Sequence, residues 1–253
     1  MIALHGFGRT GADFHVLESA LGERFTIYAF DLHFHGQSPG YPERADAPFA
    51  PSEIAGYFSG FIDSLGVEQA ALMAYSLGGR LGLCLLEEIP QRFSQVFLAA
   101  PDGLKTRPWY RGLAASGIGR WAYKRFVKHP ERVHFVMDGL RALRLMNERM
   151  HRFLKGQTDS RAKRQLVHDV WLSYRRIEPD LAVVVRKAET QGLRIHLYFG
   201  AHDRVIPPDL GENLARHAPS SVSTHVLPFG HVLLTTELAE AIAADAAAGG
   251  RME

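Results

Sequence analysis

The chain has 253 residues, 46% of them apolar, enough to bury a substantial core as one α/β domain or two small ones. Its single cysteine, Cys84, excludes an internal disulfide, and its net charge is only +2. No signal-peptide pattern precedes the first strand and no apolar run approaches the ~20 residues that span a bilayer, so a cytoplasmic location is expected.

Met1-Ile2-Ala3-Leu4 reads as a short buried strand ending at His5-Gly6-Phe7-Gly8. A helical pattern follows, with Phe14, Leu17 and Leu21 on one side and Gly22 at its end. Phe25 to Phe30 is the next strand, closed by Asp31. Strand, helix and strand in so short a span predict a βαβ unit and a parallel sheet. After the turn-rich stretch from Asp31 to Pro51, Ser52 and Glu53 open a helix carrying Ile54, Phe58, Phe61, Ile62 and Leu65.

The stretch Gln69 to Arg80 is the most informative. An apolar strand stops at Ser76, and Gly78 and Gly79 lead into a helix bearing Leu81, Leu83, Cys84, Leu85 and Leu86. Strand, sharp turn, serine and helix make the layout of a nucleophile elbow. Small residues stand two positions either side of the serine, Ala74 and Gly78, because the turn leaves no room for larger ones. A helix N-cap is the other reading of Ser76.

Phe93 to Ala100 is a further buried strand, ending in Pro101-Asp102. From Gly103 to Asp180 the alternation stops and only helical patterns appear, over Gly119 to Lys128, Glu131 to Met146, Glu148 to Leu154 and Ser160 to Arg176. This segment carries 18 Lys and Arg against 7 Asp and Glu, whereas the remainder carries 11 against 20, a shift that marks a separate structural unit. Alternation resumes with a helix over Leu181 to Thr190 and a strand over Leu193 to Phe199, ending in Gly200-Ala201-His202-Asp203. A helix over Asp209 to His217 leads to a strand over Val222 to Leu227, which ends in Pro228-Phe229-Gly230-His231. A last helix spans Val232 to Ala246, before a glycine-containing tail.

In an open α/β sheet, reactive groups collect at the carboxyl ends of the strands. Here those ends carry His5 to Gly8, Ser76, Asp203 and His231, in the chain order serine, acid, histidine. A serine hydroxyl needs a base at neutral pH, and His231 would supply it, with Asp203 holding the imidazole. The backbone N–H groups of Leu77 and Phe7 are the candidate oxyanion donors, with Gly6 and Gly8 permitting close approach. Asp102 also ends a strand and is an alternative acid.

These pieces resemble the α/β-hydrolase superfamily in its lid-bearing branch. The resemblance rests on H-G-F-G at His5 to Gly8, D-L-x-x-H-G-x-S at Asp31 to Ser38, the elbow at Ser76, G-x-x-D at Gly200 to Asp203 and G-H at Gly230-His231. It implies a parallel-sheet core over residues 1–102 and 181–247, with an all-helical cap over 103–180 inserted after the sixth family strand. It also implies an acyl substrate and no cofactor. His5, Gly6, Gly8 and Tyr75, with the cap residues Trp109 and Trp121, are candidate substrate contacts, although cap aromatics equally serve to pack the helices together. Two features depart from the pattern. The family's first two strands have no counterpart before His5, so the sheet is either a minimal six-stranded version or incomplete at its start, and Phe34 stands where glycine is common.

The expected activity is cleavage of an ester, thioester or related acyl bond by a serine hydrolase. C–C bond hydrolysis or elimination by the same triad is the alternative, since Gly78-Gly79-Arg80 after the serine resembles the menaquinone-pathway synthase of this fold. A non-catalytic ligand-binding module is the third reading. The basic segment is either a solvated outer face or an attractor of an anionic substrate, and it could touch an anionic membrane surface. No nucleic-acid motif accompanies the charge, so no nucleic-acid partner is expected. No H-x-x-x-H or G-x-x-x-x-G-K-[ST] spacing occurs, and neither a metal nor a nucleotide cofactor is expected.

Overall fold

Six short runs of mostly apolar residues form the strands of the computed structural model, which describes residues 1–105, 116–146 and 148–249. They are β1 (Ile2–Leu4), β2 (Tyr28–Phe30), β3 (Ala70–Tyr75), β4 (Phe93–Ala99), β5 (Ile195–Gly200) and β6 (Val222–Leu227). All pair in parallel, in the order β2-β1-β3-β4-β5-β6. Ile2, Ala3 and Leu4 are fully buried, as are Leu72, Met73 and Ala74 beside them, the double-sided burial expected of central parallel strands. The chain runs outward from β1 to β2, then crosses back to place β3 on the other side of β1. The sheet's direction of growth therefore reverses between β1 and β3, where an open α/β sheet forms its crevice.

The helices are α1 (Glu18–Leu21), α2 (Pro51–Ser64), α3 (Leu77–Glu88), α4 (Gly117–Lys128), α5 (Glu131–Ala142), α6 (Glu148–Thr158), α7 (Arg161–Ser173), α8 (Leu181–Thr190), α9 (Asp209–His217) and α10 (Thr236–Gly249). Among the described residues, no helix is long and apolar enough to cross a membrane.

Several boundaries differ from the sequence expectation, three of them for a clear local reason. The first helix begins as a 3-10 turn over Gly11–Leu17, because Asp31 Oδ1 takes the Gly11 N–H at 2.8 Å and the Thr10–Asp13 capping box tightens the entry. β2 starts at Tyr28, not Phe25. The Arg24 and Phe25 N–H groups still bond back to Leu21, and the Tyr28 N–H bonds to Met1 O at 2.8 Å. α10 starts at Thr236 rather than Val232, with the Thr235 hydroxyl accepting the Leu238 N–H at 3.3 Å.

The chain divides into two compact units. The first comprises Met1–Pro39, Ala50–Thr106 and Ile177–Glu253 and contains the sheet. The second comprises Gly40–Phe49 and Arg107–Arg176; its described part is helical. The segment 40–49, which has no helical pattern to flag it, joins the second unit because the Phe49 N–H bonds to Ser173 O at 2.9 Å and the Phe49 ring stacks on Tyr174 at 5.4 Å. Within that unit the buried Arg164 donates to Val127 O and Thr158 O, satisfying carbonyls at the ends of two helices. Tyr123 stacks on His168 and Trp171, so these aromatics pack helix on helix.

Candidate active site

β3 delivers its last residue, Tyr75, directly into the turn at Ser76, and α3 begins at the next residue. Ser76 has φ 52° and ψ −113°, a conformation costly for any residue with a Cβ. The turn is held on both sides: the Ser76 N–H bonds to Ala99 O at 3.0 Å, and Ser76 O accepts from Asp102 at 2.9 Å and Arg80 at 3.3 Å. The Ser76 side chain makes no capping hydrogen bond, which removes the N-cap reading. Its Oγ lies 3.1 Å from Nε2 of His231 instead.

His231 is oriented from behind. Its Nδ1 lies 2.8 Å from Asp203 Oδ2, while Asp203 Oδ1 accepts the N–H groups of Val205 at 2.7 Å and Ile206 at 3.0 Å. An ionised carboxylate is acceptor-only, so Nδ1 carries the ring proton and Nε2 is left to accept from the Ser76 hydroxyl. The Asp203 side chain is wholly buried and that of His231 is 26% exposed. Burial raises the Asp203 carboxyl pKa, but the His231 imidazole and the Ile206 and Val205 N–H groups outweigh it and hold the pKa below the usual carboxylate value. The Tyr75 hydroxyl donates to His231 O at 2.8 Å, pinning the histidine loop to the elbow strand.

The loops bearing Asp203 and His231 are themselves joined. The Ala201 N–H bonds to Leu227 O at 2.8 Å and the His202 N–H to Phe229 O at 2.9 Å. A Cβ at Gly200 would fall on the Gly230 carbonyl, so only glycine lets the two strand ends approach this closely.

Asp102, the alternative acid, pairs with Arg80 and takes the Gly103 N–H at 2.8 Å. His231 is turned to Asp203.

Leu77 is the first residue of α3, so its N–H has no acceptor within the helix. Phe7 lies just beyond the carboxyl end of the neighbouring β1, and Gly8, at φ 70°, turns the chain there. Gly6 abuts Tyr75 and Ser76, with an added Cβ falling 3.0–3.1 Å from their side chains.

Two expected substrate contacts have a different place. His5 is fully buried: its Nε2 accepts the Leu32 N–H at 2.9 Å and its Nδ1 lies 2.7 Å from Gly6 O. Nε2 thus ties the 31–38 loop to the end of β1, while Nδ1 is held by the adjacent Gly6 carbonyl, so backbone groups engage both ring nitrogens. Tyr75, only 3% exposed, likewise acts as an anchor. Trp121 is exposed on α4, in the second unit, and Trp109 lies outside the described residues.

Sequence reasoning missed the anchoring roles of Tyr75, Gly200 and Asp31. Asp31 accepts the Gly11 and Gln37 N–H groups at 2.8 Å each, which alone signals why an aspartate ends β2. Phe34 adopts φ 71°, the left-handed conformation glycine enters without cost.

His35 packs edge-on against His5 and Phe7, and is 4% exposed. Burial lowers the His35 pKa from 6.5 to about 4, against the opposing pull of the His33 carbonyl. Between those values the unfolded chain binds a proton that the folded chain refuses. Stability therefore falls as pH drops from 6.5 toward about 4 and this loss then levels off. The full window corresponds to about 3 kcal/mol. Urea unfolding measured across this range should show the slope, and His35→Phe should flatten it; an unchanged slope would remove His35 as its source.

A dihydrolipoyllysine-residue acetyltransferase component of an acetoin cleaving system from Cupriavidus necator is 33% identical over 103 residues, which is 41% of this chain and 26% of that protein. The chain thus spans about a quarter of that relative's length. The pimeloyl-[acyl-carrier protein] methyl ester esterase of Chromobacterium violaceum is 25% identical over 237 residues, 88% of this chain and 83% of that protein. The solved structure of a thermophilic esterase from Thermogutta terrifontis superposes with a TM-score of 0.65 at 17% identity, covering 98% of this chain and 89% of that one. The family model described as the alpha/beta hydrolase fold matches residues 1–238, and the chain belongs to that family.

Proposed function

We propose that this chain is a serine hydrolase that cleaves a carboxylic ester, thioester or related acyl bond through an acyl-enzyme. One observation carries the reading: the hydrogen-bonded chain from Ser76 Oγ through His231 to Asp203, mounted on a strained strand-to-helix turn. Ser76 Oγ attacks the acyl carbon as its proton passes to His231 Nε2, and Asp203 stabilises the resulting imidazolium. The N–H groups of Leu77 and Phe7 receive the developing oxyanion. His231 returns the proton to the leaving group, and water then repeats the sequence on the acyl-enzyme, freeing the acid and Ser76. The esterase named among the relatives supports an acyl substrate, and the positive balance of residues 103–180 supports an anionic one through long-range attraction.

A fluorophosphonate probe, with intact-mass analysis and peptide mapping, tests the nucleophile. The expected result is one adduct on Ser76, abolished by His231→Ala. A folded protein that takes no label would overturn the reading in favour of a binding module. A labelled protein that ignores every ester and thioester, yet cleaves C–C bonds or eliminates, would move it to the alternative chemistry of the same triad. Neutralising Arg120, Lys124, Arg125 and Lys128 together should raise KM for an anionic ester and leave a neutral one unchanged. Equal effects on both would sink the anionic preference.

A further inference from the structure

The carboxyl ends of β5 and β6 hold the Asp203 and His231 loops, but a second convergence of polar side chains lies on the face of these same strands. His196 pairs laterally with Ser223, and Tyr198 with His225. Residues two apart share a strand face, so all four side chains stand on one side of the sheet. Asp245 of α10 reaches the same spot: its Oδ2 lies 3.1 Å from His225 Nε2 and 3.6 Å from His196 Nδ1. The three ligating atoms fall within 4.8 Å of one another.

We propose that His196, His225 and Asp245 bind a divalent transition cation of the zinc class, which clamps the last helix to the far strands of the sheet. Tetrahedral ligands about 2.0–2.2 Å from such a cation stand roughly 3.3 Å apart, close to the spacings present here. Two imidazoles and one carboxylate suit zinc, cobalt or nickel, whereas magnesium and calcium favour all-oxygen sites.

The surroundings are organised for this geometry. Tyr198 stacks on the His225 ring at 4.9 Å and Phe97 on the His196 ring at 5.6 Å, which fixes both imidazole planes. The Tyr198 hydroxyl donates to Asp245 Oδ2 at 2.6 Å, the kind of outer hydrogen bond that orients a ligating carboxylate. Ser223 Oγ lies 3.0 Å from His196 Nδ1 and 3.5 Å from His225 Nε2, with one hydroxyl proton for two ring nitrogens. Its hydroxyl, or a water held beside it, would supply the fourth ligand. The side chains are 12% (His196), 33% (His225) and 21% (Asp245) exposed, so an ion can enter from solvent. The three ligands come from three elements far apart in sequence, and cation binding would therefore stabilise the folded chain and not the unfolded one.

The test uses the full chain, stripped with a chelator and titrated with zinc chloride by calorimetry and thermal melting. The expected result is one equivalent bound and a Tm raised by about 5–10 °C at zinc roughly a hundredfold above its Kd. Both effects should vanish in His225→Ala and in Asp245→Asn, and persist in His217→Ala, an exposed histidine outside the cluster. Cobalt substituted into the unmodified protein should give the intense visible bands of a tetrahedral centre, a readout independent of any variant's folding. Ester turnover should survive His225→Ala, separating this site from the serine chemistry. No zinc-dependent shift in the unmodified protein, or the same shift in both cluster variants, would overturn the proposal and leave a hydrogen-bonded network.

Discussion

Replacing Ser76 by alanine should lower kcat for a reactive ester by about 10⁶-fold while leaving the melting curve essentially in place. The alanine keeps the elbow's backbone but removes the atom that attacks, so the residual rate is what binding and the oxyanion donors supply. His231→Ala should cost about as much, and the double variant no more than either, because the two side chains act as one unit. Asp203→Asn should fall short of that, at about 10⁴-fold, since the asparagine leaves an imidazole near the hydroxyl but presents an N–H where an acceptor stood. Steady-state turnover of the purified variants measures all four. A Ser76→Ala protein that keeps most of its activity would end the acyl-enzyme reading outright. Multiplicative losses in the double variant would mean that serine and histidine serve separate steps.

The second large effect concerns stability. Gly78→Ala should destabilise the protein by about 3 kcal/mol or more, a fall in Tm of roughly 6–12 °C. The added Cβ would fall on the Leu4 carbonyl group and 2.8 Å from His5 O, both backbone atoms at the exit of β1. No rotamer relieves such a contact. Either α3 or β1 must move, and the movement breaks the Gly78 N–H bond to His5 O, 3.0 Å long here. Because the same movement would shift Leu77 relative to Phe7, turnover should fall along with Tm. Gly56→Ala and Gly60→Ala provide the contrast. An added Cβ at either position in α2 meets nothing within 4 Å, so each should stabilise by about 0.5–1 kcal/mol through helix propensity alone. Thermal and urea unfolding of the three variants checks the sign as well as the size. A Gly78→Ala protein as stable as the parent would mean that the elbow does not press against β1.

Much of the fold and of the candidate site is legible in the chain itself. The reason is periodicity and punctuation. Short apolar runs such as Ala70–Tyr75, closed by Ser76 and a glycine pair, have few ways to be buried other than as central parallel strands followed by helices. The chemistry-bearing residues sit immediately after those runs, at Ser76, Asp203 and His231, so locating the strand ends also locates them. Local competition was less legible. The delayed start of β2 depends on which carbonyl takes the Phe25 N–H, and the 3-10 entry at Gly11 depends on Asp31, whose side chain arrives from a later strand.

What the sequence by itself determined is the class of the fold, the order of its elements and the residues at the strand ends, because these follow from local pattern and chain order. What only the tertiary structure decided is partnership. Asp203 rather than Asp102 faces His231, because Asp102 is paired with Arg80. His5 and Tyr75 hold loops in place, because a polar atom of each meets a backbone group from a distant segment. The 40–49 segment packs with the helical unit through Phe49. His196, His225 and Asp245 show no ligand spacing along the chain, and only the lateral register of β5 and β6 beneath α10 brings them within reach of one ion. Such pairings depend on distances across the fold, and a linear pattern carries no record of them.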